Sequence, residues 1–479
     1  MPRYELSSRK PPRFWEIHVV GAEYTLREGA VGTAGKESTI TEVSHDAALE
    51  AAAMLIESRR KRGYLLVSGT EPTAEPAPDP PADAALEGPD SADPAAAPAV
   101  AEHSPFIPQN LALEQVIHGD PTDASGYLVY GDWLQTQGHP WGELIAVQHA
   151  LEREPDAENA DSLRATEAAF LRKYELPLLG ALARHSQVKL SFRLGFIAGA
   201  RVNEATWTNA ASLRALVRAL QRLPAARFLN DLWVGTLTHY VKGDYGPVTA
   251  QLTARKAPQA LRRLSLGMSA LHDNSLMGAE SPSAERKASG GAAWPLLGDL
   301  EALFNAFPKL EDVTLQTSDV HLGTIRLPEL RAFELRSQTW ARGIIHSLVT
   351  AEWPKLERLV LWFGRPLEPA DEQAVLAPLL SCLDAGGMPA LRHLGLRCTS
   401  STRAICESLS RSRTLKQLES LDLWMGSLDD EGARTIARAT GAFAHLDVFN
   451  LENNRLTPES FHSLAGLMHC VWLGGQRKS

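Results

Sequence analysis

Gln417–Leu428 reads QLESLDLWMGSL, and Leu446–Leu456 reads LDVFNLENNRL. In the first stretch Leu418, Leu421 and Leu423 stand at offsets 0, 3 and 5. In the second, Leu446, Phe449, Leu451, Asn454 and Leu456 stand at offsets 0, 3, 5, 8 and 10. The last two apolar positions of the triplet are two apart, so in a strand both face the same way. The Asn suits the bend that follows, because its side chain can bond backbone groups that no ladder satisfies. The pattern predicts a short strand that turns into a helical return.

The same phase recurs upstream. Leu261, Leu264 and Leu266 form one unit, and Leu310, Val313 and Leu315 another. Leu330, Phe333 and Leu335 follow, then Leu356, Leu359 and Leu361, then Leu391, Leu394 and Leu396. Leu229, Leu232 and Val234 make a weaker candidate. Successive starts lie 20 to 49 residues apart, so the array is irregular. Over about Leu229–Leu473 the chain resembles leucine-rich repeat proteins, in which each unit stacks on its neighbours to bury a continuous core. The fold class this implies is α/β, a leucine-rich repeat solenoid.

At 479 residues the chain exceeds a single ordinary core, although a stack of repeats grows without that limit. Its formal charge is −9. Residues 71–105 hold eight Asp or Glu and no Lys or Arg, so the rest lacks the strong basic surface of a typical nucleic-acid binder. The four cysteines, Cys382, Cys398, Cys406 and Cys470, have no metal-ligand spacing and read as thiols of a reducing compartment. No run of about 18 apolar residues appears, and MPRYELSSRKPPR lacks the apolar core of a signal peptide. These features predict a cytoplasmic protein without membrane spans.

Four segments follow in order. In residues 1–70, Phe14–Val20, Glu23–Arg27 and Ser38–Val43 read as strands separated by Gly-containing turns. An Ala-rich helix with Ser44 as N-cap and Asp46 in its first turn ends at Arg59, Arg60, Lys61 and Arg62, before Gly63. Phe14-Trp15-Glu16-Ile17, Val31-Gly32-Thr33-Ala34-Gly35-Lys36 and Lys61-Arg62-Gly63-Tyr64 make this segment resemble a WGR domain. That is the small α+β module of poly(ADP-ribose) polymerases and of bacterial proteins related to a molybdate-metabolism regulator. The signature tripeptide departs from the family, Glu28-Gly29-Ala30 standing where it has Trp-Gly-Arg or Phe-Gly-Arg. The aromatic and Arg that the resemblance would place on DNA are absent, which leaves at most a weak nucleic-acid contact through residues 1–70.

Residues 71–105 carry nine prolines with their acids and almost no large apolar side chain, the composition of a disordered tether. Residues 106–185 are predicted helical. Leu111–Ile117 suits one helix, and Asp120-Pro121-Thr122-Asp123 starts the next. Tyr130, Asp132, Trp133, Leu134, Gly138, Gly142, Glu143 and Gln148 make Gly126–Leu151 resemble the short repeat-companion domain found beside leucine-rich repeats in myxobacterial and planctomycete-type proteins. Asp132 and Glu143 read as polar positions of a helical hairpin rather than a carboxylate pair. Residues 186–479 carry the repeats, interrupted by a Gly- and Ser-rich insertion at His272–Trp294 that reads as a surface loop.

No pattern for catalysis emerges. The turn Gly29–Glu37 lacks the first Gly and the Ser or Thr of a phosphate loop, having Ala30 and Glu37 instead. No H-E-x-x-H or G-x-S-x-G stretch is present, and the fifteen His pair with nothing at zinc-like spacing. The expectation is no catalytic residue, no metal and no cofactor. Side chains between and just after the leucines are instead predicted to line a strand face, among them Arg263. Trp233, Arg336, Arg358, Trp362, Phe363, Arg397, Trp424 and Met425 are the candidate partner-binding residues, because Trp and Arg anchor many protein interfaces. The function that follows is a scaffold or adaptor holding a protein partner on the repeats. The alternative is a DNA-associated regulator or damage-response factor working through the first module.

Overall fold

The structure, a computed structural model, describes residues 2–6, 12–21, 23–41, 48–49, 52–53, 55–56, 59–60, 64–68, 107–156, 158–179, 182, 185, 187–204, 210–236, 243–254, 258–269, 294–364 and 369–477. The tether at 71–105, the helix start at Ser44 and Asp46, the basic turn at 61–63 and the insertion at 272–293 lie outside the described residues. The chain is mixed α/β and divides into two compact units, residues 1–109 with 165–183, and residues 110–164 with 184–479.

In the first unit five strands form an antiparallel sheet in the order β4-β3-β2-β1-β5. They are β1 Arg3–Leu6, β2 Arg13–Val20, β3 Glu23–Ala30, β4 Lys36–Thr41 and β5 Leu65–Ser68. Alternation sends Tyr4, Trp15, Ile17 and Tyr24 to one side, where they pack with the helical residues Ala48, Ala52 and Ile56. Glu16 falls on the other side, buried, accepting hydrogen bonds from Arg3 at 3.0 Å and Arg27 at 2.7 Å. β1 and β5 extend the sheet beyond the strands that the sequence suggested. RYEL alternates but is only four residues long, and LLVS does not alternate, so neither stands out as a strand in the sequence.

The second unit is built on an eleven-stranded sheet, counted among the described residues, in the order β18-β17-β16-β15-β14-β13-β11-β9-β8-β7-β6. Its strands are β6 Val188–Arg193, β7 Phe196–Glu204, β8 Asp231–Thr236, β9 Arg263–Ser269, β11 Asp312–Thr317, β13 Ala332–Ser337 and β14 Arg358–Phe363. β15 His393–Arg397, β16 Ser420–Asp422, β17 Val448–Asn450 and β18 Val471–Trp472 complete it. β10 Leu296–Asp299 and β12 Asp319–His321 pair apart as a two-stranded ribbon. β6 and β7 are an antiparallel hairpin, and every later pair is parallel. The order advances in one direction, so right-handed connections all fall on one face and leave the other open.

Each apolar triplet that the sequence marked runs into one of these strands, Leu423 and Leu451 following β16 and β17 directly. Val313, Phe333, Leu359 and Leu394 pair in register, as do Leu315, Leu335, Leu361 and Leu396. All are buried, each contributing about 1.5–3 kcal/mol of transfer free energy. Asn454 is fully buried, and its amide works at the bend as its position suggested. Nδ2 donates to Leu423 O and Leu451 O, both at 3.0 Å, and Oδ1 accepts from Leu428 N at 2.9 Å.

The helices α1 Leu111–Gly119, α2 Ala124–Thr136 and α3 Trp141–Arg153 join this second unit through buried polar contacts. Trp141 Nε1 donates to Gly195 O at 2.6 Å, and Gly195 N donates to Gln148 Oε1 at 2.6 Å. Gly195 turns the β6–β7 hairpin at φ +81°, and a Cβ there would lie 2.8 Å from Ile145 Cγ1. Only Gly permits both the backbone and the approach. Arg227 donates to Glu114 Oε1 at 2.6 Å and to Tyr130 Oη at 2.8 Å. Arg262 donates to the carbonyls of His118 and Gly119 at 2.8 and 2.9 Å, capping α1 with a cation at its negative end.

Candidate functional site

The open face collects side chains from alternate strand positions, in three rows read off the register. The first row runs Asp231, Arg263, Asp312, Ala332, Arg358, His393, Ser420, Val448. The second runs Trp233, Ser265, Thr314, Glu334, Val360, Gly395, Asp422, Asn450, Trp472. The third carries Gln316, Arg336, Trp362 and Arg397. Trp424 follows β16 by two residues.

The charges at the centre of this face are paired, and two of them are buried. Glu334 is buried, and Arg336 beside it is only 2 % exposed. Glu334 Oε1 accepts from Arg336 Nε at 2.7 Å, and Oε2 accepts from Arg358 at 3.0 Å. Burial pushes the Glu334 carboxyl upward, but the guanidiniums of Arg336, Arg358 and Arg397 outweigh it and hold the group down at about 2. The Arg336 guanidinium also lies 4.5 Å over the Trp362 ring, a cation–π contact made in a desolvated setting. Trp362 in turn meets Trp424 edge to face at 5.7 Å. The Trp424 indole nitrogen lies 2.9 Å from the Asn453 amide, whose oxygen accepts the indole N–H once that amide is turned to satisfy both of its ends. Arg397 pairs with Asp422 Oδ2 through Nε at 2.9 Å and a terminal nitrogen at 2.8 Å.

The structure thus joins Arg336, Arg358, Trp362, Arg397 and Trp424 in one patch, and adds Glu334 and Asp422, which the sequence reading did not select. The Trp side chains cover one another instead of projecting singly, Trp362 being 3 % and Trp424 6 % exposed. Arg358 at 36 % and Arg397 at 17 % side-chain exposure remain its accessible cations. Trp233 is buried four strands away on β8. Phe363 is a correction. It shares the parity of Leu359 and Leu361, so it lies on the leucine side, 1 % exposed and stacked on Trp340 at 4.4 Å. Met425 is not a strand residue either. It turns the chain after β16 at φ +59°, as Cys398 and Asn453 do at φ +62° and +57° in the flanking units. Left-handed backbone at residues other than Gly costs about 1 kcal/mol each and marks where the strands break off beside Arg397 and Trp424.

A second row was also legible in principle. The residue after the first leucine of each triplet alternates in sign as Arg262, Glu311, Arg331, Glu357, Arg392, Glu419, ending in Asp447. In space each donates its backbone N–H to the carbonyl of the one before, at 2.7–2.9 Å. Arg331 pairs with Glu357 at 2.6 Å, and Arg392 lies 3.7 Å from Glu419. Exposed pairs contribute little stability, but opposite signs in register disfavour a slipped strand order.

Nothing described converges as a catalytic group would. Asp132 and Glu143 are each exposed on their own helices. Among the described residues no cluster of His, Cys, Asp and Glu could hold a metal ion, and no helix is long and apolar enough to cross a membrane. A cleft of about 450 Å³ between the helices Pro369–Asp384 and Thr402–Leu409 is lined by Leu376, Leu380, Ile405, Asp384 and Arg411.

No family model matches the chain, and no curated protein matches it. Among solved structures it is similar to a crystal structure of a protein from Bacteroides fragilis, at 16% identity and a TM-score of 0.46, covering 100% of this chain and 97% of that chain.

Proposed function

We propose that this chain is a non-enzymatic, cytoplasmic interaction scaffold. In this reading the second unit is a leucine-rich repeat array whose open face holds a protein partner, and the WGR-like first module recruits another. The observation that carries it is the patch Glu334–Arg336–Trp362–Trp424 with Arg358 and Arg397 at its accessible edge. Ion pairs and ring contacts hold its groups in one geometry before any partner arrives. Such groups lose little rotamer freedom on binding, so more of each contact survives as affinity.

The test is capture of partners by the intact chain, compared with Arg397→Ala and with Arg331→Ala, an exposed arginine of the charge row. Arg397→Ala is expected to weaken capture by about thirtyfold, the effect of losing an anchor of ~2 kcal/mol, and Arg331→Ala to leave it unchanged. Equal capture by both variants would place the interface elsewhere.

The DNA-associated alternative receives no support from the described side chains of the first unit. Glu28, in place of the family's aromatic, pairs with Arg59 at 2.8 Å. Arg3 and Arg27 are engaged by Glu16. Phe14 and Trp15 are buried and offer no ring for a base. Phosphate contacts normally dominate DNA affinity. The full chain is therefore expected to show no submicromolar binding to duplex or nicked DNA at about 0.15 M salt. Tight, salt-sensitive retention in a fluorescence anisotropy titration would reverse the order of the two readings.

A further inference from the structure

The two edges of the first unit's sheet differ in kind. β4, at one edge, reads KESTIT, and its exposed Lys36 and Glu37 are charges of the sort that keep an edge from pairing with another chain. β5, at the other edge, reads LLVS and carries no charge. Its Leu65, Leu66 and Val67 are 75 %, 41 % and 58 % exposed, three adjacent large apolar side chains left in water. Single exposed apolar residues are ordinary, but a run of them along an open strand edge is a template for pairing.

The register fixes which backbone groups that edge offers. Ile17 N donates to Pro2 O at 3.3 Å, so the hydrogen-bonded pairs of β1 with β2 include Tyr4 with Trp15. Arg3 and Glu5 then turn their backbone groups to β5, where Glu5 lies opposite Leu65. Leu65 is thus committed to β1, and Leu66, next along, points its N–H and C=O outward. We propose that β5 pairs antiparallel with β5 of a second copy of this chain, about a two-fold axis at Leu66. Each Leu66 donates to and accepts from the same residue of the second copy, and Leu65 of each chain lies beside Val67 of the other. A two-fold interface must be complementary to itself. LLVS meets that condition, because no charge faces its own image and apolar groups meet across the axis. This self-association goes beyond the scaffold reading and is separate from the partner held on the open face. A four-residue strand buries less than the standard ~1,600 Å² interface, so the expected dissociation constant is about 10–100 µM.

The experiment is sedimentation velocity of the full chain from about 1 to about 300 µM, where the sedimentation coefficient is expected to climb from a monomer's towards a dimer's. Leu66→Pro removes the outward N–H and no bond to β1, so it should weaken association at least about tenfold while the unfolding midpoint stays in place. Leu65→Lys, which sets a charge near its own image, should weaken it as much. Val20→Lys replaces an exposed apolar side chain on an inner strand of the same sheet and should leave association unchanged. If Leu66→Pro disturbs the fold, Leu65→Lys decides alone. A chain that stays monomeric up to about 300 µM would overturn the proposal. So would a dimer that Leu65→Lys leaves intact, or one that Val20→Lys weakens equally.

Discussion

Glu334→Ala is expected to lower the unfolding free energy by about 3–5 kcal/mol, the usual cost of removing one member of a buried ion pair. The substitution leaves Arg336, 2 % exposed, with its positive charge uncompensated beneath the open face. It also frees Arg358 and shifts the guanidinium that lies over Trp362, so the transition can be followed by tryptophan fluorescence in a urea titration. A loss below about 1 kcal/mol would mean that water reaches the pair. The pH dependence has a definite sign. The folded carboxyl is held at about 2, below its ordinary value, so the stabilisation is complete above the unfolded value near 4.5. It is lost as pH falls from there through about 2. A shift of that size corresponds to about 3 kcal/mol at neutral pH. Glu334→Gln, which cannot ionise, should flatten this part of the acid limb.

Glu114→Ala should cost a comparable ~3–5 kcal/mol, although it lies on a helix remote in sequence from the strands it braces. Glu114 and Arg227 are 2.6 Å apart, with side-chain exposures of 8 % and 9 %. Tyr130 Oη donates to the same carboxylate at 3.0 Å. Removing the carboxylate leaves a buried guanidinium under the ring cluster of Tyr130, Phe196 and Phe228. The expected result is one coincident transition for helix and sheet signals, moved to lower urea. Separate transitions for far-UV circular dichroism and tryptophan fluorescence would show that α1–α3 fold independently of the sheet. Tyr130→Phe keeps the ion pair and removes only a hydroxyl, so its cost should be nearer 1 kcal/mol.

The apolar triplets placed the strands β8, β9, β11 and β13–β17 correctly, because burial of alternate residues is a local constraint that repeats with every unit. Asn454 was legible for the same reason, a single side chain serving backbone groups within reach of its own bend. The hairpin β6–β7 and the terminal β18 were not read. β7 and β18 complete the parallel ladder with residues such as Ala200 and Val471, too short or too small to repeat the leucine phase. Phe363 was misplaced by assigning the face from offset alone, where strand parity decides it.

The binding patch divides along the same line. Its Arg and Trp residues could be listed from the chain, since each stands at a fixed offset from a leucine. Arg336 meets Glu334 two residues away on its own strand. That it also lies on Trp362, and that Arg358 shares the same carboxylate, follows from strand register across units 24 to 26 residues apart. No local pattern encodes how deeply those charges are desolvated. Periodicity determines which residues share a face, because it is a property of backbone geometry. Only the folded sheet decides which of them are buried as partners and which remain accessible, because exclusion of water depends on neighbours brought together from distant segments.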